Sequence, residues 1–534
     1  MTFSGMMVLP NSHAEAIMER FLKRHRDRIR GSITGFDRLL FRGSLLSICY
    51  RHGLDKFLGS QGVLYKDWEP FGERISSRIK AQAQPIAKQA GRPFLYLPSA
   101  QASKEELAPS LVEQDQIQEG LVCVLSGVEV CQTFGIRHDR ETQRLKLVPQ
   151  ERKCLHLYFY YLDREFGLMH IRLQTWLPMT IQVCRNGREW LARRMDQVGM
   201  AYVQKDNCFT WIADPPRAQA LLEELVGRRW AKVLNVWARR VNPWLAPYAR
   251  PRWRSDYWMV RESEYATDVM FKSEEALGEV YPALCPHAME QFSAPQVLRF
   301  LGRRPTPRFN GEVRSYLERR VEGVCVKHWA EENSIKMYDK QGSVLRVETT
   351  LNNPRRFCVR RSGMRKGQRV LAWLPLRKGI ADIRRRVQLS RAANERYLEA
   401  LAVVGDSTPS HRILDPVSQR VETPQRCFRA LRPISPQDSR VFAVLLRGEY
   451  NLQGVRNQDL RRQLFDHEAP DPARPRSLAG RVSRLLLLLR AHGLIYRVAK
   501  TYYYRFTEKG REVMNTALRF RETNFALLAP SNAC

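Results

Sequence analysis

Ser334-Ile-Lys-Met-Tyr338-Asp339-Lys340-Gln-Gly342-Ser-Val-Leu-Arg346-Val-Glu348-Thr-Thr350 reads as a β-hairpin. Ile335 and Met337 alternate with polar neighbours, Lys340 to Gly342 supplies a turn, and Val344 to Thr350 is β-branched and alternating. The polar positions are Tyr338, Asp339, Lys340, Arg346 and Glu348. Asp339, where strand enters turn, is expected to meet Glu348 across the ladder. Two readings stay open: carboxylates, phenol and cations that hold a metal and a phosphate, or a solvated hairpin face laced with ion pairs.

A second stretch, Tyr160 to Trp176, repeats the layout. Setting Asp163 on Asp339, with a turn two residues longer, puts Arg172 on Arg346, Gln174 on Glu348 and Thr175 on Thr349. Internal duplication, a shared constraint on two hairpins of one sheet, and chance all produce such a match. Gln in one copy and Glu in the other make the two chemically unequal.

Tyr338-Asp339-Lys340 followed by Leu345-Arg346-Val347-Glu348 resembles a segment of the rolling-circle replication initiators of plasmids and filamentous phages. The resemblance covers about 17 of the 534 residues. In that family such strands lie near a metal and a nucleophilic tyrosine, which implies Tyr338 as the nucleophile here. The chain departs from many of those enzymes in lacking a paired-histidine metal motif; His156 and His170 each stand alone. The candidate ligands for a divalent Mg²⁺ or Mn²⁺ ion are therefore Asp163, Asp339 and Glu348, an oxygen-rich set.

Charge narrows the partner. Lys and Arg number 88 against 55 Asp and Glu, a net charge of +33 with pI near 10.1. A polyanion is expected, nucleic acid first and an anionic membrane surface second. No apolar run approaches the roughly 20 residues that span a bilayer, and the cluster Leu485 to Leu489 is short. The first residues lack the charged start and apolar core of a secretion signal. Eleven cysteines without C-x₂-C spacing read as reduced thiols of a cytoplasmic protein.

The expected class is α+β: an antiparallel-sheet core with ferredoxin/RRM-like or RNase H-like elements, helical insertions and a C-terminal winged helix-turn-helix. Residues 1–150 read as an α/β domain opening on a basic helix (14–30), followed by a strand that ends at Asp37 as RNase H-like nucleases present a metal carboxylate. Residues 151–260 read as a meander followed by Arg/Trp-rich helices suited to core packing or base stacking. Residues 261–402 combine a helical stretch (262–300), the opening hairpin and a basic loop. Arg360, Arg361, Arg365, Lys366 and Arg369 in that loop suit phosphate. Residues 403–435 lack periodicity and read as a linker.

Residues 436–534 give three helices, a hairpin after His492-Gly-Leu-Ile495, and a last helix. This order resembles the winged helix of MarR-like regulators. The resemblance implies that Arg476, Arg481 and Arg484 of the third helix enter a major groove. Arg497, Lys500 and Tyr502 of the wing would meet phosphates or the minor groove. Three functions compete: metal-dependent DNA cleavage or joining in a mobile element or replicon, non-enzymatic transcriptional regulation, and binding of structured RNA.

Overall fold

The computed structural model describes residues 19–45, 48–98, 103–242, 256–303, 311–320, 323–365, 367–404, 409–424, 426–446, 450, 454–465, 474–498 and 501–522. Its centre is one pair of long strands, β1 (Ile29–Leu45) and β9 (Asp256–Phe271), antiparallel with Thr34 opposite Thr267. Everything else in the main sheet is added outward from this pair.

On one side lie β6 (Ile181–Asn186), β5 (Gly167–Gln174), β4 (Arg144–Asp163), β3 (Gly120–Asp139) and β2 (Phe94–Tyr96). On the other lie β13 (Val344–Leu351), β12 (Asn333–Lys340), β11 (Gly323–Ala330) and β10 (Val313–Arg320). The order is therefore mirrored. In each half a long strand is followed by helices and a four-strand meander whose last member returns to pair with the long strand. The protein is α+β. Apart from the parallel pair β2–β3, the sheet's described pairings are antiparallel.

The mirrored order resolves the repeated hairpin. The topological counterpart of β12–β13 is β5–β6, whereas the matched stretch Tyr160–Trp176 falls on β4–β5. That sequence match is one strand out of step with the fold.

Odd-numbered positions of β12 and β13 (Ile335, Met337, Leu345, Val347) enter an apolar core with helices Tyr281–Gln291, Ala294–Phe300 and Ile383–Leu401. Even-numbered positions (Lys336, Tyr338, Arg346, Glu348) take the opposite face, as the period of two requires. In the other half, Leu157, Phe159, Ile171, Leu173 and Val183 pack on helices Arg51–Ser60 and Trp68–Gln89. Past β6 a separate hairpin, β7 (Tyr202–Lys205) with β8 (Cys208–Ile212), leads to helix Pro215–Gly227, which runs beside β1. The Gln219 amide there replaces a strand, accepting from the Thr34 N–H (2.8 Å) and donating to its carbonyl (3.1 Å).

Several expectations are corrected. The boundary at 150/151 falls inside β4 and that at 260/261 inside β9, because one sheet takes strands from all three segments. Residues 256–271 form a strand, not the start of a helix; β1 and β13 hydrogen-bond both its edges. Asp37 does not end a strand but occupies a bulge within β1, where the register slips between Phe36 and Arg38. The basic helix spans Glu19–Arg24, and residues 14–18 lie outside the described set. The basic loop is a separate hairpin, Cys358–Arg365 with Gln368–Pro375.

The stretch 403–435 is not a bare linker. It carries a short helix, Ser410–Leu414, and a small hairpin, and it buries Leu414, Val417 and Leu431 in the C-terminal core. That core is built by helices Pro436–Leu445, Asn457–Phe465, Arg474–Ala491 and Glu508–Glu522, with strands Ile495–Arg497 and Tyr504–Phe506 paired beside them.

Candidate functional site

The even-numbered face of β9, β12 and β13 is polar, and it divides into a fully buried half and a half that is open only at its rim, where Arg38, Glu262 and Lys336 reach solvent. In the buried half Arg346 makes a two-pronged contact with Asp268, Nε to Oδ1 at 2.6 Å and Nη2 to Oδ2 at 2.8 Å. Its Nη1 reaches Asp37 at 3.2 Å and Nη2 donates to the Asn207 carbonyl at 2.8 Å. Arg188, at the start of helix Gly187–Gln197, adds an ion pair to Asp268 at 2.9 Å. Burial alone would raise the Asp268 carboxyl; Arg188 and Arg346 outweigh it and hold the group below its ordinary range. The β1 bulge turns Asp37 into this cluster and the next residue, Arg38, into the open half.

In the open half, Glu348 stands opposite Lys336 and takes its ammonium at 3.0 Å. Tyr338 donates its hydroxyl to Glu348 Oε2 at 3.2 Å. One strand over, Glu264 and Glu262 share the guanidinium of Arg38 at 2.9 and 2.7 Å. Burial and the Glu348 charge push the Glu264 carboxyl up to about 7. Burial and the same charge raise the Tyr338 phenol well above its ordinary value. The arrangement joins a phenol, a carboxylate acceptor and a second carboxyl raised to about 7, between two cations.

The structure does not bring Asp163, Asp339 and Glu348 together. Asp163 closes the β4–β5 turn, accepting from the N–H groups of Glu165 and Phe166 at 3.0 Å. It lies on a strand five and six positions from β13 and β12, roughly 24–29 Å at about 4.8 Å per strand. Asp339 pairs with Leu345, not Glu348, so the two carboxylates project from opposite faces. Asp339 Oδ1 instead accepts from the Val324 N–H at 2.6 Å. Among the described residues no three His, Cys, Asp or Glu side chains are grouped to hold an ion.

Of the basic candidates, Arg369 is exposed and donates to Ser362 at 3.1 Å. The side chains of Arg360, Arg361, Arg365 and Arg476 lie outside the described residues, as do Lys366 and Lys500 entirely. Arg481 and Arg484 are exposed on helix Arg474–Ala491, and Arg481 stacks over Phe465 at 4.7 Å. Arg497 donates to the Thr501 carbonyl at 2.8 Å and lies over Tyr502, which is 79% exposed.

Sequence reasoning missed Arg38, Glu264 and Lys336 as partners of Tyr338 and Glu348. The available signal was alternation: Glu262, Glu264, Ala266, Asp268 and Met270 are every second residue, the period of a strand. In comparisons with known proteins, no family model, no curated protein and no solved structure matches the chain.

Proposed function

We propose that the protein binds nucleic acid and cuts or rejoins a strand at Tyr338, Glu348 and Glu264. The carrying observation is the Tyr338–Glu348 hydrogen bond beside a second carboxylate at about 7, in a chain of net charge +33. Glu348 accepts the phenolic proton as Tyr338 attacks a phosphodiester; protonated Glu264 is placed to supply a proton to the departing oxygen; Lys336 and Arg38 offset the phosphate charge. A divalent Mg²⁺ or Mn²⁺ ion fits this pair better than the set with Asp163 and Asp339. Ions of this kind are held by one or two carboxylates plus substrate phosphate oxygens. Bound there by Glu348 and an ionised Glu264, in place of the proton that Glu264 otherwise carries, it would neutralise charge on the scissile phosphate.

The C-terminal unit is read as a winged helix that locates the site. Exposed Arg481 and Arg484 on its third helix, with Tyr502 on the hairpin, support that reading. The test is incubation with labelled single-stranded DNA and Mn²⁺. A covalent protein–DNA adduct should form, vanish in Tyr338→Phe and fall at least 100-fold in Glu348→Gln, with binding retained. Absence of any cleavage or adduct would remove the enzymatic reading.

One observation favours a non-catalytic alternative. Tyr338 is only 7% exposed, so little of its ring is open to an incoming strand. A regulator or structured-RNA-binding protein would bind through the same basic surface without cleavage, and the adduct assay separates the two.

A further inference from the structure

Farther along the same face, cations gather without matching acids. Arg42 on β1 stands directly opposite Gln182 on β6, and Gln182 directly opposite Arg172 on β5. On the other side of Arg42, the register of β9 slips between Val260 and Glu262, leaving Arg261 as the extra residue of a bulge. Three arginines and one amide thus lie across four adjacent strands. With its amide oxygen toward them, Gln182 accepts from Arg261 at 2.7 Å and Arg172 at 3.1 Å. Lys378 joins from the segment whose carbonyl accepts from the Val260 N–H at 2.8 Å.

Counter-charge is scarce. Arg172 is held by Glu129 at 2.5 Å and donates to the Tyr158 hydroxyl at 3.0 Å. Among the described residues neither Arg42 nor Arg261 makes an ion pair, and Arg42 Nε is buried without a hydrogen-bond partner. Burial, then the charge of Arg261, lower the Arg42 guanidinium; Cys49 acts the other way, and Arg172 adds a smaller lowering. Burial likewise lowers Lys378, and Arg355, Arg386 and Arg261 add to this against Glu332. Like charges crowded on a partly buried face destabilise the folded chain, and a bound anion relieves the cost.

We propose that Arg42, Arg172, Gln182 and Arg261 form a phosphodiester-binding subsite that grips the backbone of a nucleic-acid strand beside the Tyr338–Glu348 centre. The proposal rests on the nucleic-acid reading above and gives it a place. Arg38, at the edge of that centre, and Arg42 are four residues apart on β1 and share a face, about 13 Å at about 3.3 Å per residue. Planar guanidinium forks match the paired oxygens of a phosphate, and a phosphate displaces the Gln182 oxygen as their acceptor.

The experiment compares the full-length wild type with the double variant Arg42→Gln, Arg261→Gln. Binding of a fluorescein-labelled single-stranded oligonucleotide is followed by anisotropy across a salt series, and thermal midpoints are read with and without inorganic phosphate. The variant should bind roughly 10–100-fold more weakly, and its log–log salt slope should shrink by about 1.4, two lost contacts at about 0.7 each. Its thermal midpoint without ligand should rise, because repulsion is removed; a merely structural pair of arginines would lower it. Phosphate should stabilise the wild type and not the variant. If wild type and variant bind the oligonucleotide with equal affinity and slope, the subsite is rejected while nucleic-acid binding stands. If phosphate stabilises the wild type but no oligonucleotide binds, the nucleic-acid reading itself is rejected and the proposal falls with it.

Discussion

Arg346 and Asp268 face each other directly across β13 and β9, joined by two hydrogen bonds of 2.6 and 2.8 Å with no solvent exposure on either side chain. With Arg188 and Asp37 they form a balanced group of two cations and two anions beneath the candidate site. Removing one member strands the others. Arg346→Met leaves Asp268 and Asp37 short of counter-charge and should lose about 3–5 kcal/mol in urea unfolding. Lys336→Met, whose side chain is 18% exposed, should cost clearly less. Equal losses would mean that the buried cluster does not organise the sheet centre.

The Glu264 carboxyl gives a pH signature. Burial and Glu348 raise it from the ordinary 4.5 to about 7, so the folded chain holds its proton more tightly than the unfolded chain. The resulting stability is fully present below about 4.5 and is lost as pH rises through about 7. Glu264→Gln, permanently neutral, should match the wild type near pH 4 and exceed it by on the order of 2–3 kcal/mol above pH 8. Glu395, also raised to about 7 by burial, remains in both proteins and cancels in the difference. Parallel stability–pH curves would sink the assignment.

The C-terminal unit should fold alone only if cut in the right place. Leu414, Val417 and Leu431 belong to its core although they precede its first long helix. A fragment starting at residue 409 should unfold cooperatively. One starting at 436 should be several kcal/mol less stable, since each buried apolar side chain contributes about 1.5–3 kcal/mol. Urea midpoints of the two fragments measure this directly, and coincident midpoints would return 409–435 to the status of a linker.

Duplex recognition should separate from strand processing. Arg481→Ala with Arg484→Ala should weaken duplex DNA binding about 10-fold and flatten its salt slope by about 1.8. The adduct at Tyr338 on a short single strand should be unaffected. Unchanged duplex binding by the folded variant would move the reader away from helix Arg474–Ala491.

The hairpin β12–β13 was legible because its information is local: alternation on both arms and a turn where Gln341 and Gly342 adopt positive φ values of 54° and 69°. The helices of the C-terminal unit were legible for the same reason. What surrounds Glu348 was not. Its neighbour Glu264 lies 84 positions earlier, on a strand whose character is imposed by two partners distant in sequence. The expected Asp339–Glu348 contact failed on register alone: a shift of three places along β12 exchanges one face for the other. The match of Asp163 to Asp339 is an analogy between hairpins that the fold sets in different positions.

The mirrored strand order also constrains how the chain is made. β1 can pair with β6 once residue 186 has emerged from the ribosome, but β9 is complete only at residue 271, 85 residues later. At roughly 5–20 residues per second, the other edge of β1 waits some 4–17 s with its hydrogen-bonding groups unanswered. Such an edge invites other chains. Helix Pro215–Gly227, bonded through Gln219, covers only the opposite edge of β1, away from β9, and leaves this one bare. Truncated products ending between residues 186 and 256 should therefore be the aggregating species during synthesis, and those ending after residue 351 should not.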